Sequence, residues 1–111
     1  MKVYKGTDKD MKCRGMQYKL GETAVYDGEP RLCKAGLHAC EQPIDVLNHY
    51  APNESRYFEA DAEEVTDERE SDDSKIVAKK MTLKAEIGVP GLVKAQIEYI
   101  KNQIGFEDAI K

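Results

Sequence analysis

The chain has 111 residues, 41% of them hydrophobic and 34% charged, a length that fits a single domain, 1–111, with a modest core. Mean hydropathy is -0.66, and no apolar run approaches the roughly 18 residues that a membrane span needs. A net charge of -4 and a pI near 5.2 argue against general affinity for nucleic acid, which draws on clustered Lys and Arg.

In chain order, residues 2–5 read as a short opening strand closed by Gly6, and residues 7–10 as a turn. Met16 to Tyr18 is a second short extended piece, and Thr23 to Tyr26 is β-prone between Gly21 and the Asp27-Gly28 turn signal. Leu37 to Cys40 reads as a buried strand. Pro43 suits a helical first turn, where its missing N–H has no partner to lose, so a helix is expected over 43–50 with Ile44, Leu47 and Tyr50 on one face. Arg56 to Ala62 alternates as a half-buried strand. Lys75 to Ile87 is a longer one, with Val77, Met81, Leu83, Ala85 and Ile87 on one face and a bulge or an exposed end expected at Lys79. These two strands are expected to pair as an antiparallel hairpin. A final helix is expected over 91–104, its apolar face Val93, Ile97, Ile100 and Ile104, with Gly105 as terminator. The fold class is α+β: a small, mostly antiparallel sheet with two helices packed on it. The expected core adds Val3, Met16, Tyr18, Ala39, Phe58 and Ala60 to the apolar residues of these elements.

Charge and sulfur supply the candidate sites. Residues 59–73 hold nine acids and one base, Arg69. Such a block reads as a solvated turn or as a patch that docks on a basic partner, in which case Glu63, Glu64, Asp67, Glu68, Glu70, Asp72 and Asp73 make the contact. Three cysteines are an odd number, which argues against a disulfide framework and for reduced thiols in a cytoplasmic protein; the N-terminus lacks the apolar stretch of a secretory signal. Cys13, Cys33, His38 and Cys40 match a zinc set in ligand type, but no Cys-x-x-Cys knuckle supports it. Buried thiols that act as small hydrophobes are the plainer reading. No cofactor is expected, with zinc as the alternative. Cys40 with His49, or Cys13 with His38, could serve as nucleophile and base, yet no nucleophile-elbow, Walker or dinucleotide motif is present.

The segments Tyr4-Lys5-Gly6, Cys13-Arg14-Gly15-Met16-Gln17-Tyr18, Leu32-Cys33-Lys34-Ala35-Gly36-Leu37-His38-Ala39-Cys40 and Pro43-Ile44-Asp45-Val46-Leu47-Asn48-His49-Tyr50 together resemble an uncharacterised family of small phage and prophage proteins, over roughly residues 1–90. The resemblance implies a phage or mobile-element origin and no particular activity. A fainter likeness runs to the ADP-ribosyltransferase fold. Tyr4-Lys5-Gly6-Thr7 is similar to its opening aromatic-His-Gly-Thr strand, with Lys5 in place of the histidine and no clearly placed catalytic glutamate. That likeness implies a nucleotide-binding remnant, for NAD or ADP-ribose, at Lys5, Thr7, His38 and Tyr50. The leading expectation is a non-enzymatic accessory module that binds a host protein, with counter-defence as a purpose and no direct contact with nucleic acid or membrane. The alternatives are the nucleotide-binding domain and a zinc-stabilised interaction module.

Overall fold

The structure, a computed structural model, describes residues 1–104. Seven strands run in chain order: β1 (Lys2–Asp8), β2 (Lys12–Cys13), β3 (Met16–Gln17), β4 (Thr23–Val25), β5 (Leu37–Cys40), β6 (Ser55–Val65) and β7 (Lys75–Glu86). A 3-10 helix (Pro43–Asn48) follows β5, and one α-helix, α1 (Gly88–Ile104), follows β7.

The expected hairpin is present. β6 and β7 pair antiparallel from Phe58 opposite Glu86 to Val65 opposite Ala78. The register shift falls between Glu59 and Ala60 rather than at Lys79. β1 lies along the other edge of β6, from Lys2 opposite Asp61 to Asp8 opposite Ser55, so Gly6 continues the strand it was expected to end. β5 bridges the remaining gap, pairing with β7 from Leu37–Ala78 to Cys40–Lys75 and with β1 at Tyr4–Cys40. β1, β6, β7 and β5 therefore close a four-strand barrel, with β4 added beside β7.

The closed barrel corrects the expectation of a sheet with two helices packed on it. Closure removes the open edges that a flat sheet of this size would leave, and among the described residues only α1 is a helix of seven or more residues. The segment expected as a helix over 43–50 is six residues of 3-10 helix, too tight to run long. Its proline does stand in the first turn.

Two apolar clusters fill the body. The barrel core gathers Val3, Tyr18, Leu37, Ala39, Phe58, Ala60, Met81 and Leu83, joined by Ile76, Ala78 and Cys13. A second cluster lies outside the barrel wall, where Tyr4, Cys40, Val46, Tyr57 and Leu92 meet beneath the 3-10 helix and α1. α1 starts earlier than expected and rests on a different face. Leu92 is fully buried, with Val89 and Ala95 beside it, whereas Val93, Ile97 and Ile100 are about half exposed, at 46%, 51% and 47%. Met16, Ile44, Leu47, Ala85 and Ile87 are half-buried rather than core. The Ile104 side chain and Gly105 lie outside the described residues.

Candidate functional site: a cationic cavity beside the barrel

The cavity forms where β1, β5 and the 3-10 helix diverge after the single Tyr4–Cys40 bridge. Its volume is about 270 Å³. Lys5, Arg14 and Lys75 bring cationic side chains to its wall, with His38, His49, Tyr50 and the thiols of Cys13 and Cys40. Among the described residues no Asp or Glu lines it, in a chain where acids outnumber bases by 21 to 17.

Lys5 is almost completely buried, at 2% exposure. Alternation along β1 puts it on the same side as Val3 and Thr7, both fully buried. Its ammonium donates to the His38 carbonyl and to Cys13 Sγ, 3.2 Å away, and stands 5.0 Å from the Tyr18 ring centre. The lysine thus ties β1 to β5 just beyond the point where their backbone pairing ends. Burial pulls its pKa below the ordinary lysine value, against the opposing influence of Cys13. A buried cation with sulfur, carbonyl and ring as its neighbours lacks a full counter-charge.

The Tyr50 hydroxyl lies 2.6 Å from Cys13 Sγ. Burial, with the Cys13 contact, raises the phenol pKa, so Tyr50 remains a neutral donor. Its ring sits over Gly6, where an added Cβ would come within 2.6 Å of it and within 2.9 Å of Val46. Glycine is therefore required by close approach, although this strand needs no unusual backbone angle there. Tyr57 donates its hydroxyl to the Tyr50 carbonyl at 2.6 Å and anchors the segment from below.

His38 does not face the cavity as an aromatic stacking platform. The Cys33 backbone N–H donates to its Nε2 at 2.8 Å, and Nδ1 lies 3.3 Å from the Gly36 carbonyl and 3.4 Å from an Arg14 nitrogen. Those partners assign the proton to Nδ1. Burial, followed by the charges of Arg14 and Lys5, pushes the imidazole pKa down to about 4 despite the Gly36 contact. The ring is neutral at pH 7. Arg14 also donates to the Cys33 carbonyl at 3.1 Å, which holds its guanidinium at the cavity wall.

The sequence-predicted sites fare unequally. Lys5, His38 and Tyr50 converge on this cavity, but Thr7 does not line it; its hydroxyl donates to the Asp8 carbonyl at 2.8 Å. Cys13, Cys33, His38 and Cys40 do not assemble as one metal set among the described residues. Cys13 is engaged by Lys5 and Tyr50, exposed Cys33 donates to Glu70 at 2.6 Å, and His38 Nε2 is occupied. Neither proposed nucleophile–base pair forms. The Cys40 thiol's hydrogen-bond partner is Asp73, the carboxylate that also holds His49, and burial, reinforced by Asp73 and Asp45, pushes its pKa up to about 12, the opposite of an activated thiol.

The acidic run folds back on the body over much of its length. Glu64 pairs with Lys80 at 3.5 Å, Glu70 with Lys75 at 3.6 Å and Asp73 with His49 at 2.9 Å. Glu68 accepts the Leu32 N–H at 3.1 Å. Glu63, Asp67 and Asp72 remain exposed. Sequence reasoning did not single out Arg14 and Lys75 as site residues, because only the long-range pairing of β5 with β1 and β7 brings them beside Lys5.

Fold and site together define a small closed β-barrel with a cationic side cavity shut on one flank by a short helix. The chain belongs to DUF7666, a domain of unknown function, which matches residues 1–95; that span includes every residue of the cavity. No curated protein and no solved structure matches the chain. No helix among the described residues is long and apolar enough to cross a membrane.

Proposed function

We propose that this domain is a non-enzymatic binding module that takes a small anionic ligand into the cavity between β1, β5 and the 3-10 helix. The observation that carries the reading is the wall itself: three cationic side chains and, among the described residues, no carboxylate, in an acidic protein. Lys5 supplies a largely dehydrated charge, Arg14 a planar fork suited to phosphate or carboxylate oxygens, and Tyr50 a neutral hydroxyl donor. The thiols and Val46 offer apolar contact to the rest of the ligand.

Size sets the class of ligand. Drug-sized ligands occupy roughly 300–1,000 Å³, so about 270 Å³ suits a phosphate, a pyrophosphate or a short carboxylic acid. A whole dinucleotide such as NAD would enter by its phosphates only. This narrows the nucleotide-binding alternative to recognition of a phosphate group by Lys5, Arg14 and Tyr50.

The docking of a host protein on the acidic run is a weaker reading, because Glu64, Glu68, Glu70 and Asp73 are engaged within the fold. A phage or prophage origin, with a counter-defence purpose, accords with a small module that sequesters a host-made anionic molecule.

A thermal-shift panel of phosphate, pyrophosphate, ADP-ribose and short dicarboxylates tests the proposal. Stabilisation of the wild type that disappears in Arg14→Ala and Lys5→Met supports it. The absence of any shift at millimolar ligand, or shifts unchanged in both variants, rejects it.

A further inference from the structure

Cys40, His49 and Asp73 come from three places in the chain and meet beside the cavity, which Cys40 and His49 line and Asp73 does not. Cys40 ends β5, His49 is the residue after the 3-10 helix, and Asp73 precedes β7. One donor atom from each lies within 4.8 Å of the other two. His49 Nε2 is 2.9 Å from Asp73 Oδ2, and Cys40 Sγ is 3.8 Å from Asp73 Oδ1. Tetrahedral zinc, with bonds of about 2.3 Å to sulfur and about 2.0 Å to nitrogen and oxygen, sets the donor atoms of a one-sulfur set roughly 3.3–3.5 Å apart. The two observed separations bracket that spacing.

The donors are held in place. The Cys40 residue is 3% exposed and the Asp73 side chain 8%. The Lys75 backbone N–H donates to Asp73 Oδ1 at 2.8 Å, a contact of the type that orients carboxylate ligands. Neighbouring bonds pin the same turn to the 3-10 helix: the Ser74 N–H donates to Asp45 at 3.1 Å, and the Gln42 N–H to the Ser74 hydroxyl at 2.8 Å.

We propose that Cys40 Sγ, His49 Nε2 and the Asp73 carboxylate form a three-ligand zinc site whose fourth position opens on the cavity, since Cys40 and His49 both line its wall. Sulfur and imidazole donors favour zinc over calcium or magnesium. A thiolate and a carboxylate balance the divalent charge, and the thiol proton passes to solvent as the sulfur–metal bond forms. The set shares only Cys40 with the one suggested by ligand type in the sequence. It goes beyond the anion-binding reading and stands without it, because metal uptake requires neither Lys5 nor Arg14.

Cobalt(II) titration of tag-free, chelator-treated protein tests the site through the thiolate-to-cobalt charge-transfer band. One equivalent is expected to bind with that band and to be displaced by zinc. Cys40→Ser abolishes the band, His49→Ala weakens binding by at least about 100-fold, and Cys33→Ser changes neither. Because Cys40 is buried, circular dichroism checks the fold of its variant, and His49→Ala gives an independent reading at a partly exposed side chain. A wild type without the band, a band that survives both Cys40→Ser and His49→Ala, or one lost in Cys33→Ser overturns the assignment and leaves His49 and Asp73 as a hydrogen-bonded pair only.

Discussion

The amine of Lys5 stands 3.2 Å from the sulfur of Cys13, in a cavity with no carboxylate from the described residues in its wall. Packing alone would favour an apolar side chain at this position. Lys5→Met keeps most of the volume and removes a buried cation. It leaves the His38 carbonyl without its donor, at a cost of about 1–3 kcal/mol. The two effects oppose each other, and the expected outcome is a melting temperature unchanged or raised, with anion binding lost. Lys5→Ala instead opens a void and lowers stability by about 2–5 kcal/mol. Thermal melts of both variants check this pattern.

Tyr50 over Gly6 gives a second prediction. In Gly6→Ala the new methyl group would stand 2.6 Å from the Tyr50 ring and 2.9 Å from Val46, so the ring must leave its seat and its contact with Cys13. Overpacking of this type costs about 1–3 kcal/mol. Denaturant unfolding measures the loss, and tyrosine ring signals in NMR report the displacement.

Stability is expected to fall on acidification because of His38. Its pKa is about 4 in the fold against 6.5 ordinarily. Below about 6.5 the unfolded chain takes up a proton that the folded chain refuses until about 4. Folding is therefore favoured fully above the upper value and loses up to about 1.4 kcal/mol per pH unit through that window, levelling below it. Protonation would also cancel the acceptor that the Cys33 N–H uses. Unfolding midpoints measured across the window in wild type and His38→Gln isolate this contribution as the difference in slope.

The seating of α1 supplies a fourth prediction. Leu92→Ala, in the cluster beneath the helix, is expected to lose about 2–5 kcal/mol. Ile97→Ser, at a half-exposed position, stays within about 0.5–1 kcal/mol of wild type. Chemical denaturation of the two variants distinguishes this face from the one read off the sequence.

Local pattern foretold the elements better than their assembly. The β6–β7 hairpin was legible because alternation runs through Tyr57 to Ala62 and again from Met81 to Leu83. Barrel closure was not legible, since β1 and β5 share the single Tyr4–Cys40 pairing and a side chain, Lys5, extends the join. The buried face of α1 was misread because Val93, Ile97 and Ile100 recur at helical spacing and outnumber the single large residue, Leu92, of the other face. The helix instead seats Leu92, with Val89 and Ala95 beside it, and small Ala95 permits close approach. At the site, Lys5, His38, Tyr50, Cys13 and Cys40 were all named from sequence, but distributed among separate ligand sets. His49 was named too, as a base for Cys40; what joins all of them to Arg14 and Lys75 is the crossing of β5 between β1 and β7, which no local spacing encodes.

The anion-binding claim is tested most directly by calorimetric titration of pyrophosphate into the wild type and Arg14→Ala, with backbone amide shifts mapped in parallel. One site per chain, shifts centred on Lys5, Arg14, His38 and Tyr50, and at least about tenfold weaker binding without the guanidinium are the expected results. Heat and shifts absent in the wild type, or centred on the outer surface of β6 and α1, would contradict the account.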